Sequence, residues 1–189
     1  MKFEVILAGF GGQGILFAGN LLAQAGMESG LQVTFLPVYG PEMRGGTCNC
    51  TVVLSDRPIA SPVVRRPSAL LIMNRPSFEK FVPWLKPRGL AVVNSDLVPQ
   101  ELARDFPGRR FVFVPADRLA EEEGFPALAN MAALGALVAV SGIVPPEKVL
   151  SGLKSLLPEH RRHLLAPNRR VFRRGYAFAL KNSSTASAK

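Results

Sequence analysis

Residues 3–29 constrain the fold more than any other stretch, because they read as strand, glycine turn and helix in immediate succession. Phe3-Glu4-Val5-Ile6-Leu7-Ala8 is a short β-prone run, and Gly9-Phe10-Gly11-Gly12-Gln13-Gly14 follows it directly. From Ile15 to Ala25 the apolar residues recur at helical spacing. Gly9, Gly11 and Gly14 match the G-x-G-x-x-G spacing in the strand–turn–helix context that gives it meaning. Glycines there permit a tight turn, close approach of a ligand to the backbone, and close helix–strand packing. The helix that follows presents free N–H groups and the positive end of its dipole, where an anion could sit.

Three readings of the turn stay open on these residues alone. A nicotinamide or flavin dinucleotide calls for an Asp or Glu about 20 residues beyond the glycines, at the end of the second strand. That strand is Leu31-Gln32-Val33-Thr34-Phe35-Leu36, and it runs into Pro37-Val38-Tyr39 without an acid. The alternatives are a tight strand–helix joint with no ligand, and a turn that meets a phosphate-bearing ligand or a neighbouring subunit.

At 189 residues the chain is long enough for one domain with a substantial core. No apolar run reaches the roughly 20 residues that span a bilayer. The N-terminus meets its glycine turn too soon for a secretory signal, so a cytoplasmic location is expected. Cys48 and Cys50 stand one residue apart, which on a strand points both to one face, and they are expected to be reduced structural thiols. Two cysteines cannot supply the four thiolates of an ordinary iron–sulfur cluster. The net charge of +9 is unevenly placed: from Ser151 onward nine Lys or Arg face a single acid, Glu159. Arg161, Arg162, Arg169, Arg170, Arg173 and Arg174 dominate that segment. Such a block suits an anionic partner or a solvated surface, and no RNA- or DNA-binding signature accompanies it.

Further along, Thr47–Leu54 is β-prone, and Ala69–Met73, Gly89–Asn94 and Arg110–Pro115 are apolar runs of the kind buried on both faces of a sheet. Short helical segments are expected through Phe78–Phe81, ending near Trp84, and around residues 100–105. Alternation of strands and helices predicts a three-layer α/β/α, Rossmann-like wound sheet. The sheet should be mixed, with Thr47–Leu54 antiparallel. From Pro126 the chain turns helical. The segment 130–139 is too apolar for a surface helix, Pro145-Pro146-Glu147 opens another, and 167–180 forms a last one. One domain over 1–181 is expected, with 182–189 a disordered tail.

Much catalytic chemistry is missing. The chain has no Gly-Asp-Gly segment for thiamine diphosphate, no G-x-x-x-x-G-K-[ST] phosphate loop, no paired-His zinc helix and no G-x-S-x-G elbow. His160 and His163, with Arg161 and Arg162 between them, read as a solvated basic turn. The bend Tyr39-Gly40-Pro41-Glu42-Met43-Arg44-Gly45-Gly46-Thr47 is more informative. In a wound sheet it lies at the same carboxyl edge as the glycine turn, where such folds take ligands. Arg44 could hold a carboxylate or phosphate through two hydrogen bonds, or pair with Glu42 to shape the loop.

Taken together, Gly9–Ile15, Tyr39–Thr47, Ser61-Pro62, Met73-Asn74-Arg75-Pro76-Ser77 and Asn130-Met131-Ala132-Ala133-Leu134-Gly135 resemble the gamma subunit of the 2-oxoacid:ferredoxin oxidoreductases. The Tyr-Gly-Pro-Glu-Met-Arg-Gly-Gly run is the specific part of the match. The resemblance implies a subunit of a larger enzyme that decarboxylates a 2-oxoacid, most like the 2-oxoglutarate type. It passes the acyl group to coenzyme A and sends electrons to ferredoxin. Thiamine diphosphate, Mg2+ and 4Fe-4S clusters would then belong to the alpha, beta and ferredoxin-like delta partners, with no catalytic residue or metal ligand in this chain. The family's link to coenzyme A implies a binding role for Gly11, Gly12, Gln13 and Gly14, and for Tyr39, Gly40, Glu42, Arg44, Gly45, Gly46 and Thr47. The arginine-rich segment matches no part of the family pattern. Two rivals are a stand-alone dinucleotide-dependent oxidoreductase and a basic nucleic-acid-binding module.

Overall fold

A strand that doubles back shapes the sheet. The computed structural model describes residues 1–39 and 47–186. The first strand, β1 (Lys2–Phe10), leads through the glycine turn into α1 (Ile15–Glu28) and then β2 (Gln32–Tyr39). The next, β3 (Thr47–Ser55), inserts between β2 and β1 and runs antiparallel to both. A short bend can only reverse a chain, whereas a parallel return needs a crossover of a dozen residues or more. Beyond β1 the order continues with β4 (Ala69–Ile72), β5 (Leu90–Asn94) and β6 (Arg110–Val114), all parallel to it. The sheet is mixed, as the sequence predicts.

The two faces of the sheet collect separate cores. Val5, Leu7, Val52, Leu54, Leu71 and Val92 point to the thicker layer, and Ile6, Ala8, Leu70, Ile72, Ala91 and Val93 to the thinner. That alternation is the period of two expected of strands, and burial on both sides explains why β4 and β5 are apolar throughout. The thin layer is α2 (Arg75–Phe81), with 3-10 turns at Val82–Trp84 and Gln100–Asp105. Phe78 and Phe81 seal it, and Phe106 and Phe111 meet the Phe78 ring. The thick layer holds α1, α3 (Ala116–Glu122), α4 (Ala129–Ser141), α5 (Pro146–Leu156) and α6 (Leu165–Ala186). Residues 116–122 give too short a pattern to be read as a helix from sequence. No helix among the described residues is long and apolar enough to cross a membrane.

Helix α4 is buried from Ala129 to Val138 because α6 covers its outer side. The crossing is close. A Cβ on Gly135 would stand 2.1 Å from the Phe172 carbonyl oxygen, and one on Gly175 would stand 1.9 Å from that of Ala132. Two glycines thus let the backbones touch. Helix α6 itself runs to Ala186. Burial of Val171, Phe172 and Ala179 anchors it, and Asn182 Nδ2 donates to the Phe178 carbonyl at 2.8 Å.

At the other edge, Glu4 is 12 % exposed between Lys2 Nζ at 2.7 Å and Lys86 Nζ at 2.5 Å. Burial works against its charged form, but the hydrogen bonds and charges of the two lysines outweigh it and hold its pKa below the usual carboxylate range.

Two outcomes follow. Gly135→Ala and Gly175→Ala should each destabilise the chain by ~2 kcal/mol in urea denaturation, since overpacking costs about 1–3 kcal/mol. An exposed helical glycine would instead gain from alanine, so the sign is the test. Glu4→Gln should lower stability at neutral pH. Because the folded pKa is depressed, its contribution is present above about 4.5 and is lost as the pH falls through the lower folded value. The gap between variant and parent should therefore close on acidification.

Candidate functional site

The carboxyl edge of the sheet gathers the turn, three amide side chains and part of the arginine segment. Gln13 organises the turn from within: its Oε1 accepts from Phe10 N at 2.7 Å and from Asn74 Nδ2 at 3.3 Å. A Cβ on Gly9 would lie 2.6 Å from that same oxygen, so glycine there makes room for the bond. Gly14 ends the turn with φ of 69° and caps α1 without any side-chain hydrogen bond. A Cβ on it would meet Asn130 Nδ2 at 2.5 Å, and that nitrogen donates to the Gly14 carbonyl at 3.0 Å. Gly9 and Gly14 therefore serve packing. Gly12, at φ of 98°, is exposed, with nothing within 4 Å of an added Cβ, and Gly11 is half-buried. Those two keep the backbone open to an approaching group.

Asn74 and Asn94 extend the row across the sheet. Asn74 follows β4, and its Oδ1 accepts from Ser77 N at 2.9 Å to cap α2 while its Nδ2 holds Gln13. Asn94 closes β5, fully buried; its Oδ1 accepts from Ala116 N at 3.2 Å and Asp96 N at 3.3 Å, and its Nδ2 donates to Asp117 Oδ2 at 2.5 Å. Asn94 was legible only as the end of an apolar strand. A polar residue in the last position of a buried strand is the signal that marks it.

The flanks of the second bend stand where the sequence predicts. Since β3 opposes both neighbours, β1 and β2 point the same way. Phe10 faces Thr47, and Tyr39 faces Cys48. Gly40, Glu42, Arg44, Gly45 and Gly46 lie outside the described residues. Cys50 is buried against Gly19, with its Sγ 3.7 Å from the Ile15 carbonyl. Burial, with Cys48 adding to it, pushes its pKa up to about 12. Burial raises Cys48 as well. Both are thiols at neutral pH, poor nucleophiles and poor metal ligands. No group of His, Cys, Asp or Glu among the described residues could hold a metal ion.

On the thick-layer side of the turn lies a cleft of about 270 Å³, bordered by Gly12, Gly14, Phe17, Asn130, Arg161 and Asn168 among others. Helix α1 faces it with no acid in its first turn. The arginine block divides around this point. Arg170 pairs with Glu123 at 3.1 Å, and Arg174 pairs with Glu122 and with Glu123, tying α6 to the end of α3. Arg162 lies 3.8 Å from Glu159. Arg161 pairs with no acid among the described residues. His160 and His163 are exposed on the 3-10 turn Glu159–Leu164 and do not line the cleft.

Fold and edge together define an α/β domain that offers backbone N–H groups, side-chain amides and an arginine at the carboxyl ends of its strands. Residues 4–178 match the family model described as pyruvate ferredoxin/flavodoxin oxidoreductase, and the chain belongs to that family. It is 36% identical over 163 residues to the 2-oxoglutarate synthase subunit KorC of Methanothermobacter marburgensis, covering 84% of this chain and 88% of that one. The keto/oxoacid ferredoxin oxidoreductase gamma subunit of Geobacter sulfurreducens superposes with a TM-score of 0.79 at 31% identity, over 95% of this chain and 99% of the other. A 2-oxoglutarate:ferredoxin oxidoreductase chain from Magnetococcus marinus shares the fold with a TM-score of 0.84 at 24% identity, this chain spanning 31% of its length. The protein is thus a gamma-type subunit of a 2-oxoacid:ferredoxin oxidoreductase, an oxidoreductase component that works with other subunits. That placement sets aside the stand-alone dinucleotide enzyme and the nucleic-acid module.

The packing of Cys50 has a direct chemical readout. In the native chain at mildly alkaline pH, iodoacetamide should leave Cys50 unmodified, and mass spectrometry should find it alkylated only after denaturation. Reaction of Cys50 in the folded chain at the rate of a free cysteine would contradict its burial.

Proposed function

We propose that this subunit engages coenzyme A at the carboxyl edge of its sheet, while partner subunits oxidise and decarboxylate 2-oxoglutarate. Thiamine diphosphate with its Mg2+ and the 4Fe-4S clusters belong, in this reading, to alpha, beta and ferredoxin-like delta partners. Carbon dioxide leaves, the acyl group passes to the thiol of coenzyme A, and the electrons go to ferredoxin. The choice of 2-oxoglutarate rests on the likeness to 2-oxoglutarate synthase subunits.

One observation carries the reading. The uncapped N-terminus of α1 and the flanks of the bend, Tyr39 and Thr47, share one edge of the sheet. A diphosphate is suited to such an edge, where aligned N–H groups and a helix dipole favour negative charge. Arg44, on the bend, would add a charge-assisted pair of hydrogen bonds. Gly11 and Gly12 leave the backbone accessible, and Gln13 keeps the turn in shape through Phe10 and Asn74.

The test is steady-state kinetics on the assembled complex. Arg44→Ala should raise the KM for coenzyme A roughly tenfold while kcat at saturation stays near the parent value, the pattern of lost binding energy shared by ground and transition states. An unchanged KM would remove Arg44 from the site.

A further inference from the structure

The amino edge of the sheet, opposite the glycine turn, carries a concentration of charge of its own. Strands β1, β4, β5 and β6 are parallel, and Ala69, Leu90 and Arg110 share one row of the register. The segments that enter these strands therefore meet at that edge. Arg65 and Arg66 precede β4, Arg88 precedes β5, and Arg110 opens β6. Backbone bonds draw the segments together: Lys86 N donates to the Pro67 carbonyl at 3.0 Å, and Arg88 N to that of Gly108 at 2.8 Å. All four arginines are exposed, and none pairs with an acid among the described residues. Glu4 is held by Lys2 and Lys86, and Asp56 by the Met1 amine. Asp105, ahead of β6, makes no ion pair with the four.

Two further observations fall on the same edge. Trp84, the one tryptophan of the chain, is 43 % exposed and meets Phe81 edge to face at 5.2 Å between centroids. Arg109, beside Arg110, fastens the segment around it: Nε donates to the Leu85 carbonyl at 3.2 Å and Nη2 to that of Pro83 at 3.4 Å. Arg88 is the third residue of a turn closed by Gly89 N and the Lys86 carbonyl at 2.9 Å, and its φ is 61°. Glycine or asparagine ordinarily fills such a position. A long cation is kept there against the backbone's preference, which points to a use for the side chain.

We propose that this edge docks an acidic face of a partner subunit in the oxidoreductase complex, with Trp84 seated in the contact and Arg65, Arg66, Arg88 and Arg110 meeting carboxylates around it. Exposed tryptophan and arginine are the residue types that dominate the energetics of protein interfaces. Charge complementarity selects the partner, since uncompensated cations around an apolar ring are matched by an Asp- and Glu-rich surface. A single exposed tryptophan is a thin stacking platform for nucleic acid. The proposal does not depend on the coenzyme A reading, which concerns the opposite edge, so either can fail alone.

The test combines the full chain, labelled with 5-fluorotryptophan, with the other subunits of its complex left unlabelled. Trp84 gives the chain its one fluorine signal, which should shift and broaden on assembly. Subunit affinity, read by biolayer interferometry, should fall as salt is added. Arg65→Gln together with Arg66→Gln should weaken it about tenfold, and Trp84→Ala by at least about tenfold. Arg88→Gly is the decisive variant: it should weaken assembly several-fold while the urea midpoint of the isolated chain holds or rises, because glycine accepts the turn without strain. Arg118→Gln, at the carboxyl edge, removes the same charge and should change affinity less than about twofold. A Trp84 signal unmoved by the subunits would overturn the proposal, as would equal losses from Arg88→Gly and Arg118→Gln. So would a shift produced by a single-stranded RNA oligonucleotide and not by the subunits.

Discussion

Backbone pairing of β3 with two partners at once is the constraint on which the rest of the molecule depends. Its register runs from Lys2 opposite Ser55 to Phe10 opposite Thr47 on one side, and from Gln32 opposite Ser55 to Tyr39 opposite Cys48 on the other. Because β3 opposes both neighbours, β1 and β2 must point the same way, so the glycine turn and the flanks of the second bend, Tyr39 and Thr47, lie at one edge. A one-residue slip would turn Cys50, Val52 and Leu54 away from α1 and bring Thr51 and Val53 toward it. Gly19 and Gly26 reinforce that register, since an added Cβ on them would meet Cys50 Sγ at 2.3 Å and Leu54 Cδ2 at 2.4 Å.

The edge so formed is held by amide side chains rather than ion pairs. Gln13 and Asn74 are half-buried and buried respectively, and together they join the glycine turn to the start of α2. Neutral amides suit the position because each donates and accepts, and their burial carries none of the desolvation penalty of a charge. Their bonds leave the N-terminus of α1 without a competing carboxylate.

The glycine turn shows why the sequence left several readings open. All three motif glycines match one spacing, yet the folded turn uses Gly9 to admit Gln13 and Gly14 to admit Asn130. Packing and ligand approach make the same demand, a missing Cβ, and spacing cannot separate them. The arginine block was ambiguous for a similar reason. A charge run looks alike whether its members pair with Glu122 and Glu123 or face a cleft, and only the path of α6 distinguishes Arg174 from Arg161.

What the residue order determined by itself is whatever depends on neighbours along the chain: the strand–turn–helix beginning, the buried strands at Ala69 and Leu90, the antiparallel β3, and the ordered motifs that mark the family. Periodicity and turn chemistry act over a few residues, so they are written locally. Tertiary structure alone decided that Asn130 reaches Gly14 across 116 positions of sequence, and that Gly135 and Gly175 allow α4 and α6 to touch. It also brought Arg161 to the glycine turn. Those outcomes turn on which surfaces meet after the sheet has formed, and no local pattern encodes the partner at the far side of such a contact.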